Sequence, residues 1–201
     1  MQFTKMNLSN EERAVLGNKE FFLIKRNISE KFDTVFSEMQ SSWMREVSGW
    51  NLPVEGIDRT RGKIFKGENY RLFPYTIMDF PRHFSKEAVF AVRTMCWWGH
   101  ECSVTLHIQG KALAIYQTNL EDRLSRMSIA DLYFCINDTP WEYHYETDNY
   151  VSFSQLTFSA MVHRLNHTGF LKLSYRIPLE KITDLEELGE NAIKNFGVFL
   201  S

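Results

Sequence analysis

Residues 89–109 read VFAVRTMCWWGHECSVTLHIQ, and the placement of this stretch decides the fold. Val104, Leu106 and Ile108 alternate with Ser103, Thr105, His107 and Gln109, the period-two pattern of a strand with one apolar face. Upstream, Val89–Cys96 is rich in β-forming residues, and Trp97-Trp98-Gly99-His100-Glu101 separates the two runs. A hairpin is expected. Its register follows from parity, because a slip of one residue exchanges the two faces of a strand. Matching apolar with apolar requires partner numbers with an even sum, most simply 198. Phe90 then faces Ile108, Val92 faces Leu106, Thr94 faces Val104 and Cys96 faces Cys102. The opposite face sets Ala91 against His107, Arg93 against Thr105 and Met95 against Ser103.

Working outward, Tyr70–Phe80 is apolar and aromatic but contains Pro74, which points to an edge strand or two short strands. Trp50–Gly67 reads as a loop punctuated by Pro53, Gly56, Gly62 and Gly67. Further upstream, Ser29 can cap a helix whose Phe32, Val35, Phe36, Met39 and Trp43 share one face and which ends near Gly49. Ser9-Asn-Glu-Glu12 is a capping box for a shorter helix closed by Gly17, and Phe21–Lys25 is open between strand and helix. Downstream, Leu132–Ile136 and Trp141–Tyr145 read as strands, and Lys111–Met127 as either a strand entering a loop or a helix. Ser154 can cap a helix to about Thr168, Leu171–Ile177 alternates as a strand ended by Pro178, and Thr183-Asp-Leu-Glu186 is a second capping box. Helices, a block of strands, then helix, strand and helix do not make a regular βαβ alternation. The expectation is one α+β domain over residues 1–201, an antiparallel sheet of about five or six strands packed against three or four helices.

Composition narrows the function classes. A net charge of −2 gives no drive toward nucleic acid, whose phosphates reward a basic stripe. No apolar run is long enough to cross a membrane, and MQFTKMNLSNEERAVLG lacks the apolar core of a secretory leader. Three cysteines make no disulfide framework, so a soluble cytoplasmic protein is expected. Gly-rich phosphate loops and the nucleophile elbow are absent from the sequence, and no cofactor is implied.

Five residues stand out as ligand-binding candidates. Arg93 interrupts an apolar strand, and Asp79 does the same in Thr-Ile-Met-Asp-Phe-Pro. A buried charge needs a partner, so the two either satisfy each other or serve a pocket. In the pocket reading Arg93 grips a carboxylate or phosphate, His107 donates or accepts a proton, and Asp79 orients one of them. Trp98 beside Gly99 and His100 can stack on a ring, and Lys66, from the basic segment Arg59–Tyr70, can add charge. Two weaker sets, Cys96/His100/Cys102 and the i, i+4 pair His163/His167, have metal-ligand chemistry but no complete ligand set, and no metal is assigned. Three functions follow. The first is a binding domain for a small anionic ligand in a cationic and aromatic pocket. The second is a hydrolase or transferase in the same groove, with His107 as base and Arg93 stabilising negative charge. The third is an interaction protein whose exposed aromatics form a homo-oligomer.

Overall fold

A computed structural model describes residues 5–52 and 54–201. Pro53 and the first four residues of the stretch read for a leader lie outside the described residues. The chain runs α1 (Asn10–Gly17), α2 (Lys19–Ser48), β1 (Lys63–Tyr70), β2 (Phe73–Phe84), β3 (Ala88–Trp97) and β4 (Glu101–Gly110). It continues with α3 (Lys111–Tyr116), α4 (Leu120–Ser125), β5 (Leu132–Cys135), β6 (Tyr150–Ser152), α5 (Phe158–Thr168), β7 (Phe170–Pro178) and α6 (Leu185–Leu200). The strands form one seven-stranded antiparallel sheet in the order β1-β2-β3-β4-β7-β5-β6. The α+β expectation holds, with two more strands or one more than expected. The additions are β1, which lies partly in a segment rich in glycine, and the three-residue β6.

Parity predicted the central hairpin correctly in every pair: Phe90 faces Ile108, Val92 Leu106, Arg93 Thr105 and Cys96 Cys102. Pro74 does not split β2, because it sits one residue inside the strand start, where a missing N–H interrupts little. Pro81 falls in the register shift between Asp79 and Arg82, where the ladder is already broken. The edge strand at this end of the sheet is β1 rather than β2.

One sheet face carries Phe90, Val92, Val104, Leu106, Leu171 and Leu173, all fully buried. It is covered by α2, through Phe36, Met39, Trp43 and Val47, and by α6, through Ala192, Ile193 and Phe196. The two helices approach closely at Gly189, where a β-carbon would meet Met39 and Trp43. Helix α2 begins ten residues before the expected cap. Asn18 accepts from the Phe21 N–H, and Ser29 lies within the helix, so Phe21–Lys25 is helical. The box at Ser9 and Glu12 forms with both bonds, whereas Thr183–Glu186 makes none. There the chain runs through a 3-10 turn, Leu179–Asp184, before α6. Likewise Ser154 lies in a 3-10 turn, and Thr157 caps α5 instead.

The other sheet face is the larger departure from expectation. Trp141–Tyr145 is not a strand: residues 136–149 form an irregular strap across that face. Ser103, Thr105 and His107, read from the sequence as the polar face of the hairpin, are buried beneath it. The alternation of Trp141, Tyr143 and Tyr145 imitates a strand, but these rings plug a sheet instead of extending one.

Gly110 ends β4 at φ +65°, and a β-carbon there would lie 2.3 Å from the Glu87 carbonyl oxygen. Gly110→Ala therefore combines left-handed strain with a backbone clash, and should lower unfolding free energy by about 2 kcal/mol or more in urea titration. An unchanged midpoint would show that the β2–β3 turn yields freely.

Candidate functional site

The strap-covered face collects three of the five sequence-derived candidates, and two of them, Arg93 and Asp79, are engaged with one another. Arg93 donates from Nε to Asp79 Oδ1 at 2.7 Å and from Nη2 to Oδ2 at 2.8 Å, a fork on fork. Its remaining Nη1 donates to the Tyr143 hydroxyl at 2.7 Å. Burial works against the Arg93 charge, but Asp79 and Tyr143 together outweigh it and keep the guanidinium firmly ionised. Asp79 and Arg93 are cross-strand partners on β2 and β3, so the two interruptions of apolar strands explain each other.

His107 lies on β4 between the rings of Trp141, at 5.4 Å, and Phe170, at 6.0 Å. Its Nε2 is buried without a hydrogen-bond partner among the described residues. Burial and the neighbouring Lys172 charge push its pKa down to about 3, so the ring is neutral at physiological pH. Lys172, the cross-strand neighbour of His107 on β7, was not singled out from sequence. Its side chain is only 1% exposed, makes no ion pair among the described residues, donates to the Glu142 carbonyl and lies 3.9 Å from the Tyr143 ring centroid. Burial pushes this amine down to about 7. Below the strap, Tyr145 and Thr105 each share a hydrogen bond with Ser174, at 2.5 and 2.7 Å, and Arg176 holds Glu101 at 2.7 Å. This polar layer is sealed at its centre and reaches solvent at Arg176.

The other two candidates lie elsewhere. Lys66 pairs with Asp33 of α2 at 2.6 Å, on the opposite sheet face from Arg93, because its register partner is Thr76 and not Asp79. Trp98 packs toward α2, 6.3 Å from Phe32, whereas Trp97 takes the strap side and stacks on His100 at 3.5 Å. The five residues thus do not converge into one pocket. His100 is held by Trp97, while Cys96 and Cys102 face each other in the apolar core, so these three are not brought together. His163 and His167 are exposed on α5, with His167 3.8 Å from Asp138. Among the described residues, His144, Glu146 and Asp148 of the strap bring ligand-type atoms within 4.8 Å of one another. Arg71 already supplies a cation there, contacting Glu142 at 3.1 Å and Glu146 at 3.5 Å.

An open cavity lies instead between α6 and the end of β7. It measures about 500 Å³ and is walled by one face of α6, Leu188, Asn191, Ala192, Asn195 and Val198, which recur at helical spacing. Tyr175 and Ile177 of β7 and the turn around Ser128 and Asp131 form the other wall. Asn195 fixes that wall: its Oδ1 accepts from the Ser128 N–H at 2.9 Å, and its Nδ2 donates to the Ser128 carbonyl at 2.9 Å. The Tyr175 hydroxyl donates to the same carbonyl at 2.8 Å. Lys181, from the 3-10 turn, and Lys194, from α6, stand at the mouth. Among the described residues Lys181 makes no ion pair, and Lys194 is 3.9 Å from Glu190. An apolar trough with a few convergent polar groups and cations at its rim suits a small molecule with an apolar body and an anionic end. No local signal announces it, since three distant segments meet only in the fold. Compared with known proteins, the chain matches no family model, no curated protein and no solved structure.

Two outcomes test the sealed layer. Asp79→Leu leaves Arg93 buried without its carboxylate and should cost about 3–5 kcal/mol, most of which Asp79→Leu/Arg93→Met should recover. For Lys172 the folded pKa lies below the usual 10.5. Above pH 7 the unfolded chain therefore holds a proton that the folded chain has released, and stability rises with pH. Below pH 7 the full penalty of charging the buried amine is present. Lys172→Met should accordingly abolish the gain between pH 7 and 9 and stabilise the protein at pH 6 by a few kcal/mol, read by denaturant titration. A variant with the parental pH slope would contradict this account.

Proposed function

We propose that the protein is a binding domain for a small anionic molecule, held in the groove between α6 and β7. The observation that carries this reading is the cavity of about 500 Å³ whose apolar walls end in two lysines. Leu188, Ile177 and Val198 offer surface worth about 25 cal/mol per Å² buried. Lys181 and Lys194 then select a carboxylate, sulfonate or phosphate at the open end, where Asp131 leaves one net positive charge among these three side chains. Asn191, exposed on the same wall, adds an amide for orientation. Preorganisation favours binding, because the Asn195–Ser128–Tyr175 hydrogen bonds set the wall before a ligand arrives. The cationic character expected from the sequence is kept in this reading, with Tyr175 as the aromatic residue of the lining and not Trp98, while Arg93, His107 and Asp79 move from ligand contacts to supports of the sheet.

Fluorescence titration with anilinonaphthalene sulfonate, an aromatic body with one anionic group, tests the site. Saturable one-to-one binding is expected, weakened tenfold or more by Lys181→Glu/Lys194→Glu, which corresponds to about 1.4 kcal/mol. Lys66→Glu, on a distant surface, should leave it unchanged. Absence of saturable binding, or equal losses in the two variants, would refute the groove as the ligand site.

A further inference from the structure

The apolar stripe of α2 continues past the point where the sheet stops covering it. Phe36, Met39, Trp43 and Val47 are buried, and Phe32 and Val35 are partly covered. Toward the N-terminus the same face runs on through Ile28, Ile24 and Phe21, all exposed. The turn Phe21-Phe22-Leu23-Ile24 is apolar on every side, the pattern of a helix enclosed by partners. Helix α1, separated from α2 by Asn18 alone, buries no residue and adds exposed Val15 and Leu16. Lys25 still reaches Glu68 of β1 at 2.5 Å. Upstream of it, the side-chain hydrogen bonds among the described residues are local ones, such as Ser9 with Glu12 and Asn18 with Phe21.

We propose that this arm, α1 with the first turns of α2, is the interface of a homodimer and packs against the same segments of a second copy. The area fits. Leu16 is 66% exposed, Leu23 60% and Phe21 and Phe22 46% each. With Val15, Ile24 and Ile28, the seven side chains leave on the order of 600 Å² in water, taking 150–200 Å² for a large apolar residue. Summed over the two helices, this lies at the upper end of the roughly 300–600 Å² of the largest apolar patch on a typical monomer and approaches the roughly 800 Å² each partner buries in a standard interface. Short helices without tertiary support are marginal in water, so an arm this short needs cover to persist. The charges favour self-association over an anionic surface. Between Asn10 and Ile28, Glu11, Glu12 and Glu20 nearly balance Arg13, Lys19, Lys25 and Arg26, and Arg26 is already paired with Glu30. A second copy brings an equal apolar area on two helices, enough to enclose a turn that is apolar all round.

Sedimentation velocity of the full chain across a concentration series reads the outcome. The expected species has twice the 23.7 kDa chain mass, and Leu16→Glu/Ile24→Glu should weaken its association at least a hundredfold. Both positions face solvent in the protomer, so the near-UV circular dichroism of the body should be unchanged. A monomer at every concentration, or a dimer indifferent to the double substitution, overturns the proposal. So does a monomer that sediments with phosphatidylserine-containing vesicles and loses that property in the variant, which would assign the arm to a lipid surface.

Discussion

The two-point contact between Arg93 and Asp79 is the constraint on which the second face of the sheet depends. A seven-stranded sheet covered by helices on one side only could have left its other side in water. Here that side holds a guanidinium, a carboxylate and an amine under a strap without regular secondary structure. Such a layer is tolerable only when nearly every polar atom finds a partner, because an unpaired charge in low dielectric costs several kcal/mol. Arg93 spans the problem: two of its nitrogens neutralise Asp79, and the third anchors the strap through Tyr143. Lys172 extends the anchoring to the Glu142 carbonyl, and Tyr143 lies against both cations. The strap has turn bonds of its own, such as Asn137 Nδ2 to the Asp148 carbonyl and Asn149 Nδ2 to the His144 carbonyl. The charges it covers tie that preformed loop to the sheet.

The legible parts of the fold were those governed by local periodicity. Alternation and parity in residues 89–109 gave the hairpin and its register, and helical spacing gave the buried face of α2. The capping motif at Ser9 worked because its helix starts in solvent, where local hydrogen bonds decide. The equivalent signal at Thr183 failed because the chain is committed there to a 3-10 turn leading from β7 into α6. Tyr143 and Tyr145 misled for a related reason: a loop that inserts every second ring into a sheet has the same period as a strand. Of the candidate site, the sequence identified Asp79 and Arg93 as anomalies requiring a partner. It could not decide between each other and a ligand, since that depends on whether the face is open. Lys172 was hidden within a regular strand pattern, and the α6–β7 groove joins segments with no shared local signal.

Sealing one face and opening another divides labour within the domain. The polar layer is stabilised mainly by internal pairing, with Arg93, Asp79 and Tyr143 bonded to one another. The groove has the reverse character: its walls are apolar, its single hydrogen-bonded cluster lies on one side, and its cations face solvent. Rigid support on one side of β7 and a recess on the other are properties of the same strand, whose residues alternate between Lys172 and Ser174 below and Leu173 and Tyr175 above.

That strand also constrains the order of assembly. β1 to β4 form a meander of neighbours in sequence, each pairing available as soon as the next strand is made. β5 and β6 come next along the chain, yet they join the sheet only through β7, which lies between them and β4. During synthesis the β5–β6 hairpin therefore has no seat until residue 170 and beyond have emerged. The strap it carries must wait as well, and the underside of the meander, Arg93 included, stays wet. Sequence-distant pairing of this kind delays folding relative to the local meander. The last strand to be made is thus the one that closes the sheet and excludes water from the charges beneath it.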